Sequence, residues 1–316
     1  MADRSSWWMP GRKAAIALLL LGLLLAAAVY WLFYDNRVSG GAINPYDIAE
    51  IRTQSRSAQA GPARIEIETV NSTHVPRIAM VAGTDWEPLE QVRVSYRLVY
   101  ADGTSIIIDT AQDEAASRDA KVEHFYDAAW QRMCAGLSAA TQIVITHEHR
   151  DHIGGLLTCP GAADLIGKAR LNPEQFAGEA LTLPTRWPAG SRAQFTPTWY
   201  RRMRAIAPGV VLIRAPGHTP GSQMVYVRRA DGQEYLFMGD TASNADNVRL
   251  LRIRSHYVTD WIGADDRRKV IAQTLGLYRI ARDEPGIALV PGHDAAAIEA
   301  MTHAGLFTRQ FHLDQP

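Results

Sequence analysis

The sequence predicts an α/β domain made of two similar half-domains, each a sheet layered with helices, carried behind an apolar amino-terminal helix. Three observations carry that expectation: one long uncharged apolar run, strand-like alternation in the roughly 250 residues that follow, and an order of elements that occurs twice. Of 316 residues, 47% are apolar, enough to bury a full core and too many for a disordered chain. Basic and acidic side chains number 33 each, so no charge excess points to a nucleic-acid partner. The two cysteines, Cys134 and Cys159, form no C-x-x-C. Two buried thiols are the expectation, with a single disulfide as the alternative.

Residues 14–34 come first. Ala14 to Phe33 is an uncharged apolar run of 20 residues, about what a helix needs to cross ~30 Å of hydrocarbon. Arg4, Arg12 and Lys13 precede it and the flank after Asp35 is mixed, which favours residues 1–13 in the cytoplasm and the main domain outside it. Trp7, Trp8, Tyr30, Trp31 and Tyr34 bracket the run as interfacial anchors would. The expectation is a single-pass signal-anchor in the inner membrane, with the bilayer as partner. A cleaved signal peptide ending at Ala26-Ala27-Ala28 is the alternative, although it would leave Val29 to Phe33 as an apolar new terminus.

Residues 35–63 are rich in Gly, Ser, Arg and Ala without a clear period and are expected to be a linker. Residues 64–316 are the expected catalytic domain. Arg64 to Val70 and Val92 to Leu98 alternate like half-buried antiparallel strands. Ala101-Asp102-Gly103 is a hairpin signal, and Ile106 to Ile108 a fully buried strand ending at Asp109-Thr110. A helix is expected over Ala115 to Leu137, then a short buried strand over Gln142 to Thr146. The second half repeats the order: strands at Gly209 to Ala215 and Gln223 to Arg228, the turn Ala230-Asp231-Gly232, then Tyr235 to Met238 leading into Asp240-Thr241. A helix over Asp265 to Arg282, the strand Ile287 to Val290 and Pro291-Gly292-His293 follow. This repeat pairs Asp109 with Asp240, and His147 and His149 with His293.

The decisive stretch is Thr146-His147-Glu148-His149-Arg150-Asp151-His152-Ile153-Gly154-Gly155. At i and i+2 after a strand, His147 and His149 point the same way, and Asp151 and His152 follow as the chain turns. Gly154 and Gly155 allow close backbone packing. Three imidazoles and a carboxylate within six residues cost too much desolvation to be merely structural.

This segment matches in full the H-x-H-x-D-H signature of the metallo-β-lactamase superfamily, which the sequence resembles from about Arg64 to His312. Ala215-Pro216-Gly217-His218, Met238-Gly239-Asp240 and Pro291-Gly292-His293-Asp294 resemble the family's later metal motifs. The resemblance implies an αββα sandwich. It also implies one metal on His147, His149 and His218, a second on Asp151, His152 and His293, and Asp240 bridging them. Such ligands suit two Zn²⁺ ions sharing a hydroxide, with iron or manganese as the alternatives. Asp151 and Asp240 are the implied catalytic carboxylates, and Asp109 is the candidate to fix a ligand imidazole from behind.

For substrate contacts the candidates are His256, Tyr257 and Trp261, in the loop after Asp240 that also carries Arg249, Arg252 and Arg254, and Trp199, in the insert before the second half. Class B β-lactamases lack the bridging aspartate, and diiron relatives carry glutamate where His149 stands. The likeness is strongest to quorum-quenching lactonases, except that Thr241 to Asn244 stand where those enzymes place a tyrosine; Tyr257 is the candidate substitute. The expected function is hydrolysis of a small-molecule lactone or carboxyl ester or amide. A glyoxalase II-like thioesterase, a phosphodiesterase, a mono-iron dioxygenase and a membrane-anchored binding module are the alternatives.

Overall fold

The computed structural model describes residues 10–35 and 46–313. Arg4, Trp7, Trp8 and linker residues 36–45 lie outside the described residues. An α-helix runs over Pro10–Val29 and continues through Tyr30–Tyr34 as a wider π-helical turn. The stretch Gly11–Tyr34 is long and apolar enough to cross a membrane, and none of it is buried inside the protein. Within the segment expected to be a linker, Ile48–Ser55 forms a helix capped by Asp47, with Ile48 and Ile51 buried.

Among the described residues eleven strands build two sheets. The first holds β1 (Arg64–Pro76), β2 (Pro88–Val99), β3 (Ser105–Ile108), β4 (His124–Phe125) and β5 (Gln142–Val144). The second holds β6 (Met203–Ala207), β7 (Val210–Arg214), β8 (Gln223–Arg228), β9 (Glu234–Phe237) and β10 (Ile287–Val290), while β11 (Thr308–Arg309) returns to the first. The orders are β11-β1-β2-β3-β5, with β4 beside β1, and β10-β9-β8-β7-β6.

Side-chain alternation makes the layers. Ile106 and Ile108 of β3 point between the sheets, where they join Val92, Val94, Leu98, Leu212, Val225, Val227 and Phe237. Ile107 points the other way, onto Met133 and Leu137 of the helix Asp127–Ala139. The second sheet does the same with Val211, Ile213, Met224 and Tyr226 against Leu277 and Ile280 of the helix Arg267–Asp283, and against Ile48 and Ile51. Both faces of each sheet are thus covered, which is why the strands are apolar at consecutive positions. The result is an αββα sandwich.

The repeat is present as topology: β1-β2-β3 are antiparallel with β5 parallel to β3, and β7-β8-β9 are antiparallel with β10 parallel to β9. Its register differs from the sequence expectation. Ile108 pairs with Val144 and Phe237 with Val290, and the next amide in each half bonds the same carbonyl: Asp109 N to Val144 O, and Met238 N to Val290 O. His147 therefore aligns with His293, but Asp109 aligns with Met238. Asp240 lies two residues further on.

Other expectations are corrected too. The helix expected over Ala115 to Leu137 is two, Glu114–Asp119 and Asp127–Ala139. Between them Lys121 takes a positive φ, and His124–Phe125 pair with Ser72 and Asn71 just past a bulge in β1. Strand pairing overrides helix propensity there. Strand β1 is not half solvated, because its charged face is covered. Glu66 is buried against Arg97, and Glu68 against Arg132 and the amide of Phe311. The cysteines are not thiols: Cys134 and Cys159 form a disulfide, their Cα atoms 5.5 Å apart.

Candidate metal centre

Each ligand candidate stands where a strand gives way to a turn. His147 and His149 follow β5, and the helix Arg150–Thr158 then begins, carrying Asp151 and His152. His218 lies on the β7–β8 connection, Asp240 in the 3₁₀ turn Gly239–Ala242 after β9, and His293 after β10. Glycine makes the approach possible at two places. A Cβ on Gly155 would stand 2.5 Å from Thr110 O, and one on Gly292 would stand 2.6 Å from Asp240 Oδ1.

The structure brings all seven together. His147 Nε2 lies 3.1 Å from His149 Nδ1, and His218 Nε2 lies 2.8 Å from that same atom. On the other side His152 Nε2 and His293 Nε2 stand 3.1 Å apart, and Asp151 Oδ2 is 3.6 Å from His293 Nε2. Asp240 sits between the groups: Oδ1 is 3.0 Å from His293 Nε2 and 3.7 Å from His152 Nε2, whereas Oδ2 is 3.5 Å from His218 Nε2. Ligand atoms at tetrahedral corners ~2.1 Å from one ion stand about 3.4 Å apart, close to this spacing. Oδ1 is buried and has no hydrogen-bond partner among the described residues. An orphaned carboxylate oxygen amid converging nitrogens fits a cation. His147, His149 and His218, as well as His152, Asp240 and His293, form groups whose ligand atoms lie within 4.8 Å of one another.

The outward nitrogens are held by the protein. His152 Nδ1 donates to Asp109 Oδ2 at 2.9 Å and His293 Nδ1 to Val92 O at 2.9 Å, while His218 Nδ1 lies 3.0 Å from Asp265 Oδ1 and 2.6 Å from Arg254 Nη2. For His152 and His293 the contact puts the proton on Nδ1 and turns the Nε2 lone pair inward, as metal-binding imidazoles require; for His218, Asp265 and Arg254 together fix the ring with Nε2 facing inward. Asp109, at φ 57°, also accepts from the amide and hydroxyl of Thr146.

Burial holds His147, His149 and His218 below the usual imidazole value, so the rings stay neutral and each keeps one nitrogen lone pair. Burial pushes the Asp240 carboxyl up, but His293, His218 and Arg254 outweigh it and hold it well below the usual range. Burial also lowers His152, yet Asp109, Asp151 and Asp240 raise it to about 9; the carboxylates around it favour positive charge.

Sequence reasoning left three participants unassigned. Arg254, fully buried, donates to Asp240 Oδ2 at 2.9 Å, to Asp240 O at 3.0 Å and to Asp265 Oδ2 at 2.8 Å. Asp265 completes the chain from Arg254 to His218. Glu148, between two ligands in sequence, points away from them and accepts from Thr219 Oγ1 at 2.7 Å and Gly221 N at 3.0 Å, which ties the His218 loop to the H-x-H-x-D-H segment. The only sequence signal for Glu148 was its position inside the motif; Arg254 and Asp265 resemble any loop charges.

The substrate candidates are placed otherwise. His256 bonds Asp260 through Nδ1 and stacks on Trp31 of the amino-terminal helix, ring centroids 4.5 Å apart. Tyr257 packs on Phe33. Trp261 is 70% exposed. Trp199 lies on the approach to edge strand β6 and, among the described residues, shares no hydrogen bond or ring contact with the cluster.

With this geometry in hand, the comparisons decide the family. The sequence model of the metallo-beta-lactamase superfamily matches residues 90–293. The chain belongs to this superfamily. A search of curated proteins finds no match. Among solved structures, the chain is similar to an N-acyl homoserine lactone hydrolase solved with N-hexanoyl-L-homoserine bound at its catalytic metal center. That likeness has a TM-score of 0.58 at 15% identity and covers 76% of this chain and 96% of the other. A quorum-quenching N-acyl homoserine lactone lactonase gives 0.57 at 15% identity, over 77% and 97%. A probable metal-dependent hydrolase from Staphylococcus aureus gives 0.56 at 15%, over 75% and 91%. At such identities the likeness is one of fold. Superfamily and fold together make this chain a metal-dependent hydrolase with the metallo-β-lactamase sandwich.

Proposed function

We propose that the seven residues hold two metal ions, zinc by the nature of the ligands, and that the centre hydrolyses a lactone or a carboxyl ester or amide. The observation that carries the reading is Asp240, whose two oxygens face different ligand groups while one of them lacks a hydrogen bond. Bound there, two divalent ions would supply an activated water and Lewis acidity toward the substrate's carbonyl oxygen. The protein's own residues do the rest. Arg254 clamps Asp240 so that its oxygens stay divided between the two positions. Asp109 and the Val92 carbonyl hold His152 and His293 in the ligating tautomer, and Asp265 with Arg254 fixes the orientation of the His218 ring. Asp151 is the more exposed carboxylate, at 22%, with Arg93 Nε 3.4 Å from its Oδ2. We assign it to orient the attacking water and to pass its proton to the leaving oxygen.

The apolar helix is, in this reading, a membrane anchor with the amino terminus in the cytoplasm and the hydrolase outside it. Arg4, Arg12 and Lys13 support the orientation, and the buried Cys134–Cys159 disulfide suits an oxidising compartment. The lactonase structures resembled by the chain favour a lactone as first candidate substrate. The test is metal analysis of the full-length protein, then turnover of homoserine lactone, carboxyl-ester, thioester and phosphodiester probes with and without chelator. Two ions per chain and chelator-sensitive ester or lactone turnover are expected. Activity confined to thioesters or phosphodiesters would overturn the substrate assignment, and metal-free activity would overturn the mechanism.

A further inference from the structure

Both ends of residues 255–264 are pinned to the metal centre. Just before them, Arg254 holds Asp240 Oδ2; just after them, Asp265 holds His218 Nδ1 and Arg254 Nη2. The segment therefore leaves the site and returns to it, as a lip beside the metal centre. Along it runs the short helix His256–Trp261.

The outer side of this lip rests on the foot of the amino-terminal apolar helix. His256 stacks on Trp31, Tyr257 and Trp86 pack on Phe33, and Gly83 N donates to Phe33 O at 2.8 Å. Trp31 lies three residues before the end of that helix, about 4.5 Å along its axis, within the ~5–7 Å thickness of a bilayer's polar zone. An element stacked on Trp31 shares its depth. Among the described residues, the lip and its neighbour also leave large apolar side chains exposed: Trp261 at 70%, Ile262 at 67% and Trp86 at 53%. An exposed aromatic and aliphatic rim that continues a membrane-spanning helix is what the polar–apolar boundary of a bilayer accommodates.

We propose that residues 255–264, with Trp86, lie in the membrane interface, so that the metal cleft opens at the bilayer surface and draws its substrate from there. The substrate class is an ester or lactone head on an apolar chain long enough to partition into lipid. This rests on the membrane-anchor and hydrolase readings above, and the test separates the three.

The full-length protein is reconstituted in phosphatidylcholine–phosphatidylglycerol vesicles with a single bimane label at Ile262→Cys, Leu20→Cys or Asp231→Cys; the native cysteines are joined and do not react. Quenching by lipids carrying a nitroxide near the headgroup is read at each position. Ile262 is expected to be quenched and Asp231, in an exposed hairpin turn, is not; Leu20 is expected to respond to nitroxide deep in the acyl chain. Quenching at Leu20 without quenching at Ile262 overturns the proposal and leaves the anchor standing, and burial of Ile262 that follows protein concentration instead would mark a second copy as the occupant. Lack of quenching at Leu20 overturns both. A second readout compares decanoyl with acetyl esters in the same vesicles. In the double variant Trp261→Ser/Ile262→Ser, selectivity for the long chain is expected to fall about tenfold, on the scale of losing one apolar anchor. Unchanged selectivity overturns the substrate class. If neither ester turns over, the hydrolase reading fails while quenching at Ile262 still decides the location of the lip.

Discussion

Replacing Asp240 with asparagine keeps the side chain's size and one oxygen and removes its charge. The structure dictates which oxygen survives. Arg254 donates to Oδ2 from 2.9 Å, so an amide nitrogen there would set donor against donor. The asparagine oxygen will therefore face Arg254, and the NH₂ group will replace Oδ1, 3.0 Å from His293 Nε2. The loss falls on the position served by Asp151, His152 and His293. It is large because Asp240 and Asp151 are the only carboxylates among the seven proposed ligands. Two dications about 3.5–4 Å apart repel by roughly 17–19 kcal/mol at an effective dielectric of ~20, and half of the anionic charge offsetting that would be gone. We expect the second metal to weaken until occupancy approaches one ion per chain, and kcat to fall at least ~100-fold, or about 2.7 kcal/mol of transition-state stabilisation. The fold should persist, since Arg254 keeps the variant's oxygen and Asp265. Asp109→Asn is the control. It leaves one acceptor oxygen for both the Thr146 amide and His152 Nδ1 and removes no proposed ligand, so metal affinity or activity should fall by about 10–100-fold with both sites still fillable. Metal stoichiometry, circular dichroism and steady-state kinetics on both variants decide the matter. Near-normal turnover with two ions in Asp240→Asn, or equal damage from the two substitutions, would show the bridge to be elsewhere.

Three further outcomes follow from the same structure. His293→Ala should leave one ion per chain by elemental analysis, because His293 is the one proposed ligand supplied beyond β10; full occupancy would remove it from the set. Cys159→Ser should lower unfolding free energy by about 3–3.5 kcal/mol in a denaturant titration, the chain-entropy value for a loop of 25 residues, and reductant should do the same to the native protein but not to the variant. A reporter fused after Pro316 should be active only outside the cytoplasm; cytoplasmic activity would reverse the proposed topology, and a soluble mature protein would favour cleavage near Ala28.

What could be read from the sequence was whatever local spacing determines. The buried strands around Ile107 and Val225 were legible because both faces of a covered strand must be apolar, and the ligand cluster because its chemistry is packed into ten residues. What stayed hidden depends on contacts distant in sequence. Nothing near Arg254 announces that Asp240 and Asp265 will meet its guanidinium, 14 and 11 residues away. Nothing near Cys134 fixes its distance from Cys159 until two helices pack. Residues 120–126 read as helix because their captor is the edge of β1, some 50 positions earlier. The contact of His256 with Trp31, 225 residues away in a segment that looked independent of the domain, was hidden for the same reason.

The offset in the repeat explains how two similar halves make one asymmetric centre. Register aligns His147 with His293, so each half delivers an imidazole from the same strand end. The carboxylates differ because the chain leaves the third strand differently in each half. In the first, the residue after Ile108 is Asp109 itself, in a left-handed conformation that aspartate tolerates; its side chain turns back to Thr146 and His152 and so stands behind the ligands. In the second, Met238 occupies that position and Gly239, at φ 51°, starts a 3₁₀ turn that carries Asp240 two residues further, in among the nitrogens. One aspartate fixes an imidazole and the other divides its oxygens between two groups. Gly292, aligned with Thr146 of the first half, makes that position available: the space a side chain would fill is taken by Asp240 Oδ1. The asymmetry therefore rests on two glycines, and Gly292→Ala should displace Asp240 even though it changes no ligand.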